Sequence, residues 1–312
     1  MPTGLTIREA LRLSPSLPRL DREVLLARSL GQDRVFLLAH SEDTVPPKQL
    51  KRYRDFLVRA AKHEPIAYIV GVREFYGRDF FVGPGVLIPR PETELMVEHT
   101  IDRINTSLTP RKKVAVVDVG TGSGAIITSI FLSLQTKQQN YISFFAVESE
   151  EVALRYARKN AKYHHVNAIR FLKSNLLARV SKQLSNYDEV FITANLPYLS
   201  NALYRRAAPN VKHFEPKSAL VSGADGLEHY RRLITELQAI NSTGVKINFF
   251  LEISPEQAKN LSTLFTDVTT LSSLAIIPDL AGKARLIIGV IDNITKQKPR
   301  NYGTPVRSGR AD

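Results

Sequence analysis

The spacing of hydrophobic positions changes twice along this chain. From Leu5 to His63 apolar residues recur every three to four positions, as in Leu20, Val24 and Leu25 or in Leu50, Tyr53, Phe56, Leu57 and Ala60. That spacing predicts short amphipathic helices, punctuated by Pro18 and by Pro46-Pro47. From Gly71 to Ile88 the pattern turns to alternation, with Gly77 and Gly83-Pro84-Gly85 as breakers, and predicts a β-hairpin connector. After a helix that opens near Pro91, apolar runs of strand length alternate with helical patterns. The expected strands are Val114 to Val119, Ile142 to Val147, Ile169 to Leu172, Glu189 to Ala194, Ile247 to Ile253 and Ala284 to Ile291. Between them come helices from Glu150 to His164, Leu227 to Ile240 and Pro255 to Phe265, with Ser149 placed to cap the first.

This order predicts a small all-α domain over residues 1–70 and a β-hairpin connector over 71–88. Residues 89–292 then form a Rossmann-like α/β domain, a doubly wound and mostly parallel sheet with helices on both faces. Residues 293–312 read as a basic, disordered tail. Composition agrees with a globular protein: of 312 residues, 43% are hydrophobic and 23% charged.

Charge adds a hint about partners. With 43 Lys and Arg against 30 Asp and Glu the net charge is +13, which favours an anionic partner, although solubility alone accounts for it equally well. There is no cysteine, so disulfides, thiolate-bound zinc and cysteine nucleophiles are excluded, and no metal centre is expected. No apolar run approaches the roughly 20 residues that span a bilayer, and Glu9 interrupts the Arg8 and Arg12 pair that a presequence would need. A cytoplasmic protein without membrane contact is expected.

The segment Asp118 to Ala125 places Gly120, Gly122 and Gly124, with Thr121 and Ser123 between them, where a strand turns into a helix. Missing side chains let a ligand approach the backbone, and the helix start offers free N–H donors. Glu148 ends the next strand, where a carboxylate can accept hydrogen bonds from both hydroxyls of a ribose. Together they predict an adenosine ligand without choosing between a dinucleotide and a methyl donor. Asn195, Leu196, Pro197 and Tyr198 supply the choice, because they follow a strand at the carboxyl edge of the sheet. An amide or exocyclic amino nitrogen is a poor nucleophile, since its lone pair is delocalised. The Asn195 side-chain oxygen and the Leu196 carbonyl can accept its two N–H groups and favour its loss of planarity. Pro197 stiffens the turn and Tyr198 would stack on a flat acceptor. The expectation is methyl transfer from S-adenosylmethionine to a planar nitrogen, with amide and adenine both open.

The segments EPIAYIVGVREFYGRDFFVGPGVLIPRPETE (Glu64 to Glu94), VVDVGTGSGAI (Val116 to Ile126), NLPYLS (Asn195 to Ser200) and FEPKSALVSGADGLEHYRRLI (Phe214 to Ile234) narrow this further. From about Leu5 to Ile291 the chain resembles the HemK-like glutamine methyltransferases that modify peptide-chain release factors. The resemblance implies a helical N-terminal domain that docks a class I release factor, and a catalytic domain that methylates the glutamine of its Gly-Gly-Gln loop. It implies cofactor contacts from Gly120 to Gly124, Glu148 and Asn195, with Leu176 lining the adenine. Asn195 to Tyr198 would then hold the glutamine, Arg90 and Thr93 would lie in a loop covering the site, and the enzyme would act as a monomer. Three positions depart from the pattern: Leu196 replaces a usual proline, Glu148 a usual Asp, and Asn175 a common acid. Asn-Leu-Pro-Tyr is also similar to the motif of ribosomal RNA adenine dimethyltransferases, which keeps an adenine N6-methyltransferase acting on DNA or ribosomal RNA as the alternative. A non-catalytic ribosome-associated protein would be a third outcome. A nicotinamide dehydrogenase lacks a placed acid for hydride transfer.

Overall fold

The computed structural model describes residues 4–109, 112–268 and 270–292, so the expected tail 293–312 lies outside the described residues. Five short helices come first, Ile7–Ala10, Arg19–Leu30, Arg34–Ala39, Pro47–Ala61 and Ile66–Val70. Their apolar stripes meet in one cluster that includes Leu25, Leu26, Leu50, Tyr53 and Leu57. Chain breakers define the ends: Thr6 forms a reciprocal capping box with Glu9, and Gly31 closes the second helix in the left-handed conformation.

The connector is an antiparallel hairpin of β1 (Val72–Phe75) and β2 (Arg78–Phe81). Its two-residue turn, Tyr76-Gly77, has positive φ at both positions, the geometry that matches the twist of paired strands. A 3-10 turn, Pro91–Thr93, then leads into the helix Glu94–Ser107.

The main sheet has seven strands: β3 (Val114–Val119), β4 (Ile142–Glu148), β5 (Ile169–Lys173), β6 (Glu189–Ala194), β7 (Lys246–Glu252), β8 (Leu271–Pro278) and β9 (Ala284–Ile291). Their order is β5-β4-β3-β6-β7-β9-β8. The first five run parallel, and β9 pairs antiparallel with both β7 and β8. Every residue of β3 and β6 is buried. Alternate residues enter opposite cores: Ala115, Val117 and Val119 join one, Val114 and Val116 the other. The chain builds outward from β3 through β4 to β5, then returns to the other side of β3 for β6. The order therefore reverses beside β3, the place where open α/β sheets hold ligands.

Two expectations needed correction or addition. The helix after β4 is Glu151–Tyr163, and its cap position is Glu150 without a side-chain cap bond. Ser149 donates instead to Glu148 Oε1 at 3.3 Å, because the helix starts one residue later than expected and leaves Ser149 outside the cap position. The edge strand β8 was not anticipated: nearly every residue in it is half-buried, so LSSLAIIP carries no clean alternation.

Candidate functional site

A cavity of about 970 Å³, its open mouth included, lies over the carboxyl ends of β3, β4 and β6. That is within the range expected for a small-molecule site. The wall brings together Gly120, Thr121, Gly122, Ser123, Glu148 and Leu176 with Asn195, Leu196, Pro197 and Thr93.

The glycine turn is held from below. Asp118, fully buried on β3, accepts hydrogen bonds from Thr121 Oγ1 at 2.6 Å and from Thr193 Oγ1 at 2.9 Å. Thr193 reaches it because β3 and β6 pair with Asp118 beside Thr193. Burial raises the Asp118 carboxyl from 3.8 to about 6, against the two hydroxyl bonds that favour its ionised form. From the side, Asn160 of the Glu151–Tyr163 helix donates to Ser123 O at 2.9 Å and to Phe81 O at 3.0 Å, and accepts from Phe81 N at 2.7 Å. It thus ties the turn to the hairpin. Gly124 lies outside the wall: it starts the helix Ala125–Ser133 with φ of 76°, and a Cβ there would crowd Ala157.

Glu148 Oε2 accepts from Gly122 N at 2.9 Å, and Oε1 accepts from Glu150 N at 3.0 Å and, at a longer 3.3 Å, from Ser149 Oγ. A carboxylate has about four acceptor sites, so one remains on Oε2, and the long Ser149 bond can yield a second on Oε1. Leu176, buried and with φ of 47°, faces the same cavity, as does Asn175, whose Oδ1 accepts from Arg232 Nη2 at 2.9 Å.

On the acceptor side Asn195 donates its Nδ2 to Thr93 Oγ1 at 3.2 Å. Among the described residues no donor reaches Asn195 Oδ1. Leu196 buries its side chain at 3% exposure in the core that contains Val119 and Tyr230. Pro197 lines the cavity. Tyr198 is not part of the wall: its ring packs on the same core as Leu196, its carbonyl accepts from Gln257 Nε2 at 2.8 Å, and burial lifts its hydroxyl to about 12. Arg90 also stays outside the wall, because its guanidinium pairs with the buried Glu215 at 2.5 Å. Glu215 Oε2 accepts from Ile88 N at 3.1 Å, so this pair binds the loop before Pro91 to the segment that places Pro216, Ser218 and Ala219 in the wall.

Sequence reading overlooked Asp118, Asn160, Glu215, His229 and Glu252. His229 lines the cavity and pairs its Nδ1 with Ser222 Oγ at 2.6 Å; burial first, and Arg232 second, hold its pKa below the usual histidine value. Glu252 ends β7 as Glu148 ends β4, an acid closing an apolar strand, and that shared pattern was the available signal.

Residues 7–71 match the PrmC N-terminal domain and residues 110–219 match a methyltransferase domain. The release factor glutamine methyltransferase of Rhodopirellula baltica is 35% identical over 274 residues, covering 86% of this chain and 88% of that protein. The enzyme of the same name from Bacillus subtilis is 33% identical and covers 92% of this chain and 98% of its own. This chain belongs to the release factor glutamine methyltransferase family. The fold agrees: the hMettl16 catalytic domain, solved in complex with MAT2A 3′UTR hairpin 6, superposes with a TM-score of 0.51 at 16% identity, over 79% of this chain and 95% of that one. As a member of the family the chain is an S-adenosylmethionine-dependent methyltransferase. The cavity suits that cofactor, since the Glu148 carboxylate lies beside a glycine turn whose bare backbone lets a ligand approach closely. No helix among the described residues is long and apolar enough to cross a membrane.

Proposed function

We propose that this chain transfers a methyl group from S-adenosylmethionine to the side-chain amide nitrogen of the glutamine in the Gly-Gly-Gln loop of a class I peptide chain release factor. The observation that carries the choice of glutamine is the match to proteins of that name over nearly their whole length, helical N-terminal part included. In this reading residues 1–70 dock the factor, 71–88 connect, and 89–292 carry the chemistry, in a monomer of the cytoplasm.

The bound cofactor supplies a methyl group on a positively charged sulfur. Glu148 accepts its ribose hydroxyls, the bare backbone at Gly120 and Gly122 lets it approach, and Leu176 covers the adenine. Asn195 Oδ1 and the Leu196 carbonyl accept the two N–H groups of the glutamine amide. With both hydrogens held, the nitrogen lone pair is turned out of conjugation and aimed. Pro197 keeps the two acceptors at a fixed separation, and the Tyr198 ring, packed on the core beneath, anchors the loop that carries them. The surplus proton on nitrogen passes to water after transfer, so no general base is required.

The adenine alternative rested on Leu196 and on the net charge of +13. The Leu196 side chain is turned into the core, so the substitution alters what lies beneath the loop and leaves the backbone acceptor in place. The deciding experiment offers purified release factor, ribosomal RNA and DNA side by side with the cofactor, and reads methyl incorporation by mass spectrometry. One added methyl on the Gly-Gly-Gln glutamine is expected, lost in Asn195→Ala. An unmodified factor beside a methylated nucleic acid would overturn the proposal.

A further inference from the structure

Three side chains from distant parts of the chain form one line from a buried acid to the cavity wall. Glu252 ends β7 and Thr93 closes the 3-10 turn before Glu94, both buried, and Asn195 follows β6. Thr93 Oγ1 donates to Glu252 Oε2 at 2.5 Å and accepts from Asn195 Nδ2 at 3.2 Å. A hydroxyl carries one proton. While Glu252 is ionised it can only accept, so that proton belongs to Glu252 and Thr93 can only accept from Asn195. The Asn195 amide is thereby given a direction, its NH₂ toward Thr93 and its Oδ1 left for the cavity. An asparagine without such a partner could present either end, and only the oxygen can receive the N–H of an incoming nitrogen.

We propose that Glu252 is a positioning residue for methyl transfer, acting through Thr93 to turn the Asn195 oxygen toward the acceptor nitrogen. The inference rests on the acceptor role proposed for Asn195. Protonated Glu252 gains a donor of its own; Thr93 is then released to donate to Asn195, and the amide can turn its NH₂ to the cavity. The groups around Glu252 set where this happens. Burial raises its carboxyl to about 7, Thr93 opposes this, Glu92 adds to it, and Arg285 on β9 and Arg90 before the 3-10 turn lower it. The hydroxyls of Tyr198 and of Tyr230, which donates to the Glu252 carbonyl oxygen, complete the surroundings.

Two readouts test the relay, taken together from about pH 6 to about pH 8, across the Glu252 transition. One is kcat/KM for methyl transfer. The other needs no activity: the side-chain NH₂ resonances of Asn195 in the ¹⁵N-labelled protein, identified by their loss in Asn195→Asp. In the wild type kcat/KM should rise with pH, and the Asn195 resonances should shift with the same midpoint. Glu252→Gln and Thr93→Val should each lower the plateau about tenfold, the worth of one hydrogen bond to a charged group, and abolish both pH transitions. Losses in the double variant should not multiply, and Thr93→Ser should recover what Thr93→Val lost. Retention of the wild-type pH transition in the Asn195 resonances of Thr93→Val, or losses that multiply in the double variant, would overturn the relay. A wild type that leaves the release factor unmodified refutes the acceptor reading instead, and the resonance titration still decides the relay.

Discussion

Asn160→Ala should loosen the glycine turn without touching any ligand. The side chain is fully buried and makes three hydrogen bonds, two to the backbone of Phe81 and one to Ser123 O. At about 1 kcal/mol net for each bond, truncation should cost about 3 kcal/mol, and more if water cannot reach the stranded groups. For a unit of about 200 residues each kcal/mol lowers the melting temperature by about 2–4 °C, so a fall of about 6–12 °C is expected. If half of that loss is felt as loosening of the turn, cofactor affinity falls about tenfold, since 1.4 kcal/mol is a factor of ten. Thermal denaturation with and without S-adenosylmethionine reads both effects, and isothermal titration gives the affinity directly. Asn160→Asp, which turns a fully buried carboxylate oxygen toward the carbonyls of Phe81 and Ser123, should be at least as destabilising as Asn160→Ala. A variant that melts within about 2 °C of the wild type and binds cofactor equally would refute the reasoning, because the three groups would then be satisfied without Asn160.

Three further outcomes can be checked. Glu148→Gln keeps one acceptor oxygen where the carboxylate has two, and should weaken cofactor binding about 10- to 100-fold by titration calorimetry, in line with about 1.5–3 kcal/mol for bonds to a charged group; undiminished affinity would remove Glu148 from the ribose. Gly226 has φ of 79° and an added Cβ would fall inside contact distance of Tyr198 O, so Gly226→Ala should displace the Asn195 to Tyr198 loop and cut kcat at least about tenfold with the cofactor dissociation constant little changed. Burial raises Asp118 from 3.8 to about 6 and Glu252 from 4.5 to about 7. Across those windows the folded protein holds protons that the unfolded chain has released, so each group's contribution to stability is complete at the acid end and is lost as pH rises, by about 3 kcal/mol each. Urea unfolding should therefore show Glu252→Gln gaining on the wild type from pH 5 to pH 8, about 3 kcal/mol in all; a gap that stays constant with pH would show that Glu252 is not protonated in the fold.

How much was legible follows from how far each feature's causes extend along the chain. The glycine turn and the acid at Glu148 were readable because each occupies one strand end, where residue type alone states what the backbone must do. Six of the seven strands of the main sheet were visible as apolar-rich runs; β3 and β6 are buried along their whole length, and polar residues within them such as Asp118 and Thr193 bond to one another. The seventh, β8, was hidden because no residue in it is fully buried, so LSSLAIIP marks neither face. Ser149 looked like a helix cap by its place in the sequence, but the Glu148 carboxylate beside it claims its hydroxyl. Arg90 and Thr93 were placed in a covering loop; their actual partners, Glu215 and Glu252, lie 125 and 159 residues further on.

The sequence by itself determined the family, the alternation of strands and helices apart from β8, and the two short segments, Gly120 to Gly124 and Asn195 to Pro197, proposed to meet a cofactor and an acceptor. Those are properties of local pattern, set by side-chain periodicity, missing Cβ atoms and fixed φ. Only the tertiary structure decided which end of the Asn195 amide faces the cavity. That choice belongs to a proton on Thr93 and a charge on Glu252, groups that meet only when β6, β7 and the turn before Glu94 are packed together. The same packing buries Thr93 and Glu252, so their hydrogen bond is made away from water and its direction is felt at Asn195.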